Sequence, residues 1–444
     1  VPMDEYDSTK LTGDGSSNNW KMGAWYIGNY PYYVTIHQQR LVFARTSLEP
    51  NGLWMSSSMD YINFGTANKY KEVLDSSGIT LSLVGGEVNP IAWIRSSNIL
   101  LVGTIGEEYQ IKASSITESV TPTNINILSQ TTIGGVEGAD VARVSASTLF
   151  IQRQGLSLRE LQYSFDIDSF VAKDLSVVAE HIMRGSPATT LVYQQTPFQV
   201  VWVLGGGKLF SMTYEKEQGV IAWSEHAIAN GSVESIACVP NVTLGTDDVY
   251  MTVSRGSSDK RVEVFSSPFH PSSPTDVANR TFLDSHVEYS GVATATITGL
   301  SHFGTQTVKV VADGCLHPDC VVAGGQITLN KPATHVVVGY DYPSYIKTLP
   351  MEGGSRFGTA QGKAIKIHRS DLLLLDTIGI KYGKEYPGDQ SPVFAYDGTN
   401  KLFSGYVEVN DLSGFDKDAS FYILQDKPLP FTVLSLTLTV VVNE

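Results

Sequence analysis

Five short apolar runs recur along the first two-thirds of the chain at intervals of roughly 50 residues, the length of a four-stranded propeller blade. They are Arg40-Leu-Val-Phe-Ala, Asn98-Ile-Leu-Leu-Val, Thr148-Leu-Phe-Ile-Gln, Gln199-Val-Val-Trp-Val and Asp248-Val-Tyr-Met-Thr. After most of them comes a turn and a second apolar strand. Examples are Gly205-Gly-Gly-Lys208 before Leu209 to Met212, and Ser254 to Lys260 before Arg261 to Phe265. Pro50-Asn51-Gly52 likewise joins Leu41-Val-Phe43 to Leu53-Trp54-Met55, because proline sets one φ and the next two residues tolerate φ > 0. One small sheet cannot hide both of its faces, so units of this kind must pack on one another and close into a ring. Val220 to Trp223 reads as an outer strand whose Trp223 packs on a neighbouring blade or lies in an ordinary core. The expected fold class is all-β: a β-propeller-like repeat of four-stranded blades with an additional small β-module in the C-terminal third.

The pattern divides the chain of 444 residues into four parts. Residues 1–32 form an N-terminal segment and 33–283 the propeller blades. Residues 284–361 form an inserted β-rich module, with Gly-rich hairpins expected at Thr294 to Leu300, Thr307 to Ala312, Val321 to Leu329 and His335 to Tyr340. Residues 362–444 return to strands that complete the propeller: Ala364 to His368, Leu372 to Ile380, Lys401 to Val409, Phe421 to Leu424 and Phe431 to Val442. The last of these is too short for a membrane helix and rich in Val, Thr and Leu, so a buried strand explains it.

Hydrophobic residues at 42% and charged ones at 17% describe a globular chain with a large core. A net charge of -14 argues against a protein that grips nucleic acid by neutralising phosphates. The acidity serves either solubility or the wall of a channel through which DNA slides. Three cysteines are too few for a disulfide scaffold, and Val1 to Lys10 carries no charged-apolar-small signal pattern.

Candidate chemistry is sparse. Cys315, His317 and Cys320 offer two thiolates and an imidazole, but no fourth zinc ligand is evident, and the Asp313-Gly314 and His317-Pro318 pairs mark a loop. No metal or disulfide is expected there. Asp166 with Asp168, Glu107 with Glu108, and Asp247 with Asp248 are the close carboxylate pairs. Neighbours on a strand point to opposite faces, so all six are read as solvated turn residues rather than acid/base pairs. Gly205-Gly206-Gly207-Lys208 lacks the spacing of a phosphate loop. The aromatic clusters Trp25, Tyr26, Tyr30, Tyr32, Tyr33 and Tyr340, Tyr342, Tyr345 suit either core packing or a contact surface. The residues themselves thus nominate no catalytic, cofactor-binding or metal site.

The wording of several runs closely resembles the tail tubular or nozzle proteins of short-tailed bacteriophages. Pro31 to Phe43 matches a P-x-x-(V/I)-T-(F/I)-x-x-x-R-L run, and Trp54 to Phe64 a W-x-S-x-x-x-D-Y-x-N-F run. Leu100 to Ile111, Phe150 to Glu160, Gln199 to Trp223 and Pro428 to Val433 follow in the same order. Members of that family usually have a longer N-terminal region. The resemblance implies a structural, non-enzymatic subunit without cofactors, assembled in the host cytoplasm and residing in the virion tail. It implies a ring of six copies that continues the DNA channel and gates ejection. The implied partners are the adaptor ring, tail fibres or spikes, double-stranded DNA passing without specific binding, and the host envelope, with no integral membrane segment. The alternatives are a carbohydrate-binding or depolymerising β-propeller, and a receptor-binding module.

Overall fold

The computed structural model describes residues 25–443 apart from 69, 86–87, 116, 257–258, 267–280, 353, 355–357, 385–389, 400 and 411–413. Most of the expected N-terminal segment, Val1 to Lys10 included, lies outside the described residues. The chain divides into two compact units, Val1–His226 with Gly231–Val264, and Ala227–Asn230 with Phe265–Glu444.

Each apolar run of the repeat becomes the second strand of an antiparallel meander. The first sheet holds β1 (Tyr33–His37), β2 (Arg40–Ala44), β3 (Gly52–Met55) and β4 (Ile79–Ser82). The second holds β5 (Ile91–Ser96), β6 (Leu100–Thr104), β7 (Glu108–Ala113) and β8 (Ile125–Thr131). The third holds β9 (Ala142–Val144), β10 (Ser147–Ile151), β11 (Leu158–Ser164) and β12 (Ser169–Asp174). A single-turn helix, α1 (Glu180–Arg184), leads to the fourth sheet of β13 (Ala188–Gln194), β14 (Val200–Gly205), β15 (Lys208–Glu215) and β16 (Val220–His226). The fifth has three strands, β17 (Ser232–Asn241), β18 (Thr246–Ser254) and β19 (Lys260–Val264). Leu41, Leu100, Phe150, Val201 and Tyr250 therefore occupy equivalent strands, β2, β6, β10, β14 and β18. No strand pairing among the described residues links the fifth sheet back to the first.

The runs are continuous in apolar residues because both faces of the middle sheets are buried. Successive side chains on a strand point to opposite faces. On β6, Leu100 and Val102 join a core with Val42, Leu53 and Met55 of the first sheet. Leu101 turns the other way, to Phe150 and Leu161 of the third. On β10 the division repeats: Phe150 faces the second sheet, while Leu149 and Ile151 pack with Val201 and Val203 of the fourth. A fully buried side chain such as Phe150 contributes about 1.5–3 kcal/mol, so a polar residue in either set would strand a polar atom between sheets. Trp25 closes the far face of the first sheet, its ring meeting Phe43 at 5.0 Å and Phe64 at 4.6 Å. The fifth sheet buries Val249, Met251 and Val253 on one face and exposes Tyr250, Val262 and Val264 on the other.

Turn chemistry follows sequence closely. Gly206 and Gly207 both have positive φ, 58° and 80°, which a two-residue hairpin requires and only glycine adopts freely. The run at Gly205 to Lys208 is thus the β14–β15 turn. Trp223 lies on the outer strand β16 and its indole N–H donates to the Leu175 carbonyl at 3.0 Å, tying the fourth sheet to the third.

In the second unit the strands are β20 (Asp284–Ile297), β21 (Thr307–Ala312), β22 (Cys315–Val321), β23 (Ile327–Tyr340), β24 (Ser344–Lys347), β25 (Ala364–Thr377), β26 (Ile380–Gly383), β27 (Ser391–Phe394), β28 (Phe403–Asn410), β29 (Tyr422–Gln425) and β30 (Val433–Asn443). They form sheets ordered β20-β23-β21-β22, β24-β29-β26-β27 and β28-β25-β30. Two expectations are corrected. Thr307 to Ala312 and His335 to Tyr340 lie within single strands rather than forming hairpins, and Ala364 to Thr377 is one bent strand with register shifts rather than two strands.

Candidate functional site

The sequence candidates scatter. Cys315, His317 and Cys320 lie on an edge strand, not in a loop: Asp313-Gly314 forms the β21–β22 turn, and Pro318 is tolerated because β22 pairs on one side only. Cys315 stands opposite Ala312 and Cys320 opposite Val308. Five residues of strand separate the two Cα atoms by roughly 16 Å at a rise of about 3.3 Å per residue, beyond the ~7 Å limit for a disulfide. Both His317 ring nitrogens are engaged, Nε2 accepting from the Asn330 N–H at 2.9 Å and Nδ1 lying 2.7 Å from the Pro318 carbonyl. Replacing Cys315 and Cys320 together by serine should therefore leave the thermal midpoint unchanged, where loss of a folding-coupled zinc site would remove several kcal/mol. Stoichiometric zinc in the purified protein would contradict this.

The carboxylate pairs do not converge. Asp166 and Asp168 belong to the tight turn between β11 and β12, where Asp168 accepts from the Tyr163 hydroxyl. The Asp247 carboxylate accepts from the Gln195 and Thr196 N–H groups at 2.8 and 3.0 Å, while Asp248 accepts from Asn241. Glu107 accepts from Ser129 at 2.9 Å. Glu108 departs from its expectation: it is fully buried on β7 rather than solvated in a turn. Tyr340 is buried edge-on to Phe303, whereas Tyr345 is exposed, so the Tyr340–Tyr345 run offers no single surface.

Cys320 Sγ lies 3.6 Å from His317 Nδ1, and both line a cavity of about 360 Å³ with Asp319; a second cavity gathers side chains the sequence did not single out. At one end of the third sheet lies a cavity of about 360 Å³ whose wall includes Gln152, Gln154, Ser157, Arg159, Asp174 and Glu180. The β10–β11 connection supplies the first three, and its path is set by the Gln152 N–H to Ser157 carbonyl and Gly155 N–H to Gln152 carbonyl bonds. Asp174 ends β12. Its carboxylate accepts from the Ser176 N–H at 2.8 Å and hydroxyl at 2.7 Å, a turn that directs the chain into α1 and places Glu180 at the helix start. Arg159 on β11 pairs with Asp174 at 3.3 Å and donates to Gln152 at 2.9 Å. Glu180 is solvent-facing and pairs with Arg184 at 3.5 Å.

Amides, a hydroxyl, guanidinium groups and two carboxylates thus share one opening. Such a wall offers hydrogen-bond donors and acceptors on several sides with its charges balanced, which suits a polar, polyhydroxylated ligand. Among the described residues no three His, Cys, Asp or Glu side chains gather as a metal site would need. Asp174 and Glu180 escape a search for adjacent carboxylates because they meet only through the turn between β12 and α1. The available signal was Asp174-Leu-Ser176, a capping-type sequence ahead of a helix.

No protein-family model and no curated protein matches the chain. Solved structures with a related strand arrangement include a protein from Lactobacillus plantarum, at TM-score 0.31 and 10% identity over 69% of this chain and 87% of that one. An exo-beta-1,3-galactanase from Phanerochaete chrysosporium superposes at TM-score 0.27 and 10% identity, over 93% and 95% of the two chains. A glycoside hydrolase family 43 arabinoxylan arabinofuranohydrolase from Bacillus subtilis does so at 0.20 and 13%, over 92% and 93%. Superpositions this loose fix no activity for the chain. The sequence reading is corrected all the same: the solved structures of similar strand arrangement are mostly carbohydrate-active β-propeller enzymes, and a phage match among them is weak and partial. Membership of the tail tubular family, the nozzle role and the virion setting are set aside, and so is the expectation of a chain without enzymatic activity.

Proposed function

We propose that the five meanders of the first unit are successive blades of a β-propeller, and that the protein recognises carbohydrate at the cavity beside the third sheet and cleaves a glycosidic bond there. The blade reading is supported by the equivalence of β2, β6, β10, β14 and β18 and by the first strands β1 and β5, β9 and β13, β13 and β17 lying side by side. The carbohydrate reading rests on one observation: Asp174 and Glu180 open onto the same cavity, among groups suited to sugar hydroxyls. Glycoside hydrolysis needs two carboxyl groups, one giving a proton to the leaving oxygen and one acting as base or nucleophile. Glu180, on the exposed helix start, serves as one of the two. Asp174, fixed by Ser176 and Arg159, serves as the second group.

A panel of neutral oligosaccharides tests this by calorimetry and product analysis. Glu180→Gln should reduce turnover at least ~100-fold, the scale of a general acid or base, while leaving binding nearly intact. Because Glu180 is exposed, the variant should fold as the parent does. No binding to any glycan, or turnover indifferent to Glu180→Gln, would overturn the proposal.

A further inference from the structure

Glu108 lies in a cross-strand row of the second sheet with Trp93, Gly103 and Thr131, each opposite the next in register. Register partners share a face, and this face packs on the third sheet, where the Trp93 and Phe150 rings are 5.4 Å apart. Glu108 Oε2 accepts from the Thr131 hydroxyl at 2.5 Å and from the Ile133 N–H at 3.3 Å. The other oxygen, Oε1, is buried with no partner, and so is the indole Nε1 of Trp93. That indole crosses Gly103 closely: a Cβ there would stand 2.2 Å from Nε1, and one at Gly135 2.5 Å. The strand row and the segment of residues 131–135 therefore enclose a carboxyl group and an indole N–H that are both unsatisfied.

No cation pairs with Glu108 among the described residues. Its own sheet carries Arg95, Glu107 and Lys112. The facing side of the third sheet carries Arg143, bonded to the Ser145 carbonyl, and the Arg159–Asp174 pair. The connection between the sheets carries Asp140 and Glu137, the latter paired with Arg45, and Arg153 lies in the β10–β11 connection. The charge that weighs most on Glu108 is Glu107, of like sign.

We propose that Glu108 is a protonation latch between the second and third sheets: as the neutral acid it lets residues 131–135 stay closed over β7, and once ionised its buried charge, with no cation beside it, favours their opening. Burial is the main cause that pushes its carboxyl up to about 7, partly offset by the hydrogen bonds from Thr131 and Ile133. The folded-state value thus lies above the unfolded one. The folded protein then holds a proton that the unfolded chain has lost, so stability falls as pH rises from the ordinary carboxyl range to about 7 and is level above it. Opening begins where the latch loses its proton. The Gly135 N–H, bonded to the Thr104 carbonyl, and the Val136 N–H, bonded to the Ile151 carbonyl, report on the segment directly.

Amide hydrogen exchange of the full chain at pH 5.5 and 8.5, corrected for intrinsic rates, tests the latch. Protection at Gly135 and Val136 should drop by about tenfold or more at the higher pH, while amides of the fifth sheet keep theirs. In Glu108→Gln, which stays neutral, the drop should vanish. Infrared absorption of the wild type supplies a readout independent of the variant: a protonated buried carboxyl at pH 6 that disappears by pH 8.5. Equal protection at both pH values, the same drop in Glu108→Gln, or no protonated carboxyl at pH 6 would each overturn the proposal.

Discussion

Replacing Arg40 with methionine should destabilise the protein by about 3–5 kcal/mol, from ~1–3 kcal/mol for each buried acceptor left without a donor. Arg40 is buried on β2, and its guanidinium donates to the carbonyls of Ser56 at 2.8 Å, Ser77 at 2.7 Å and Asp75 at 2.6 Å. All three belong to the long connection between β3 and β4. Methionine fills much of the volume and supplies no hydrogen. Lysine cannot rescue the site, because its single ammonium cannot reproduce the planar fork that meets three separated carbonyls. Proteolysis should become fast in this connection, whose Met59, Ile62 and Tyr70 are already exposed. A urea midpoint shifted by less than about 1 kcal/mol in Arg40→Met would show that water satisfies those carbonyls instead.

Lys216→Met should cost about 3 kcal/mol near neutral pH, the low end of the range for breaking a buried pair, because Lys216 is 38% exposed and solvent screens part of its charge. Lys216 reaches from the β15–β16 turn of the fourth sheet to Glu160 on β11 of the third, and to Ser147 at 2.9 Å and Gln162 at 2.7 Å. Burial raises the Glu160 carboxyl pKa, but hydrogen bonds from Lys216 and Ser147 outweigh it and hold the group below its ordinary value. Its contribution is therefore present above the unfolded-state pKa and is lost as pH falls through the lower folded value. The variant's deficit should shrink in acid, where Glu160 can take a proton instead of remaining an unpaired charge. A deficit independent of pH from 3 to 7 would rule out this electrostatic origin.

How far the fold is readable without coordinates depends on how many constraints act on each strand. Leu100-Leu101-Val102 is legible because two cores claim alternate residues, and Gly206-Gly207 because the turn demands positive φ. Cys315 to Val321 is not, because His317-Pro318 reads as a break, and only an edge position reconciles proline with a strand. Glu108 is misread because charge suggests solvent; its partner Thr131 and the gap over Gly103 are set by cross-strand register. The cavity carboxylates meet through a turn and a helix start that no strand pattern announces. The resemblance to tail proteins rests first on Pro31 to Phe43 and Trp54 to Phe64; two-sided burial dictates a later run such as Leu100 to Val102, but not Met59 to Asn63, which are exposed.

The two units also differ in when their strands can find one another. Every pairing in the first five sheets joins a strand to the next in sequence. Each sheet can therefore be complete soon after its last residue leaves the ribosome, and each offers a ready face to the sheet that follows. In the second unit β20 waits for β23, β24 for β29, and β25 for both β28 and β30. β24 and β25 in particular stay without partners until late in its synthesis, the state in which exposed edges associate wrongly. The first unit is built as a sequence of finished parts. The second closes in three steps, with β23, β29 and finally β30.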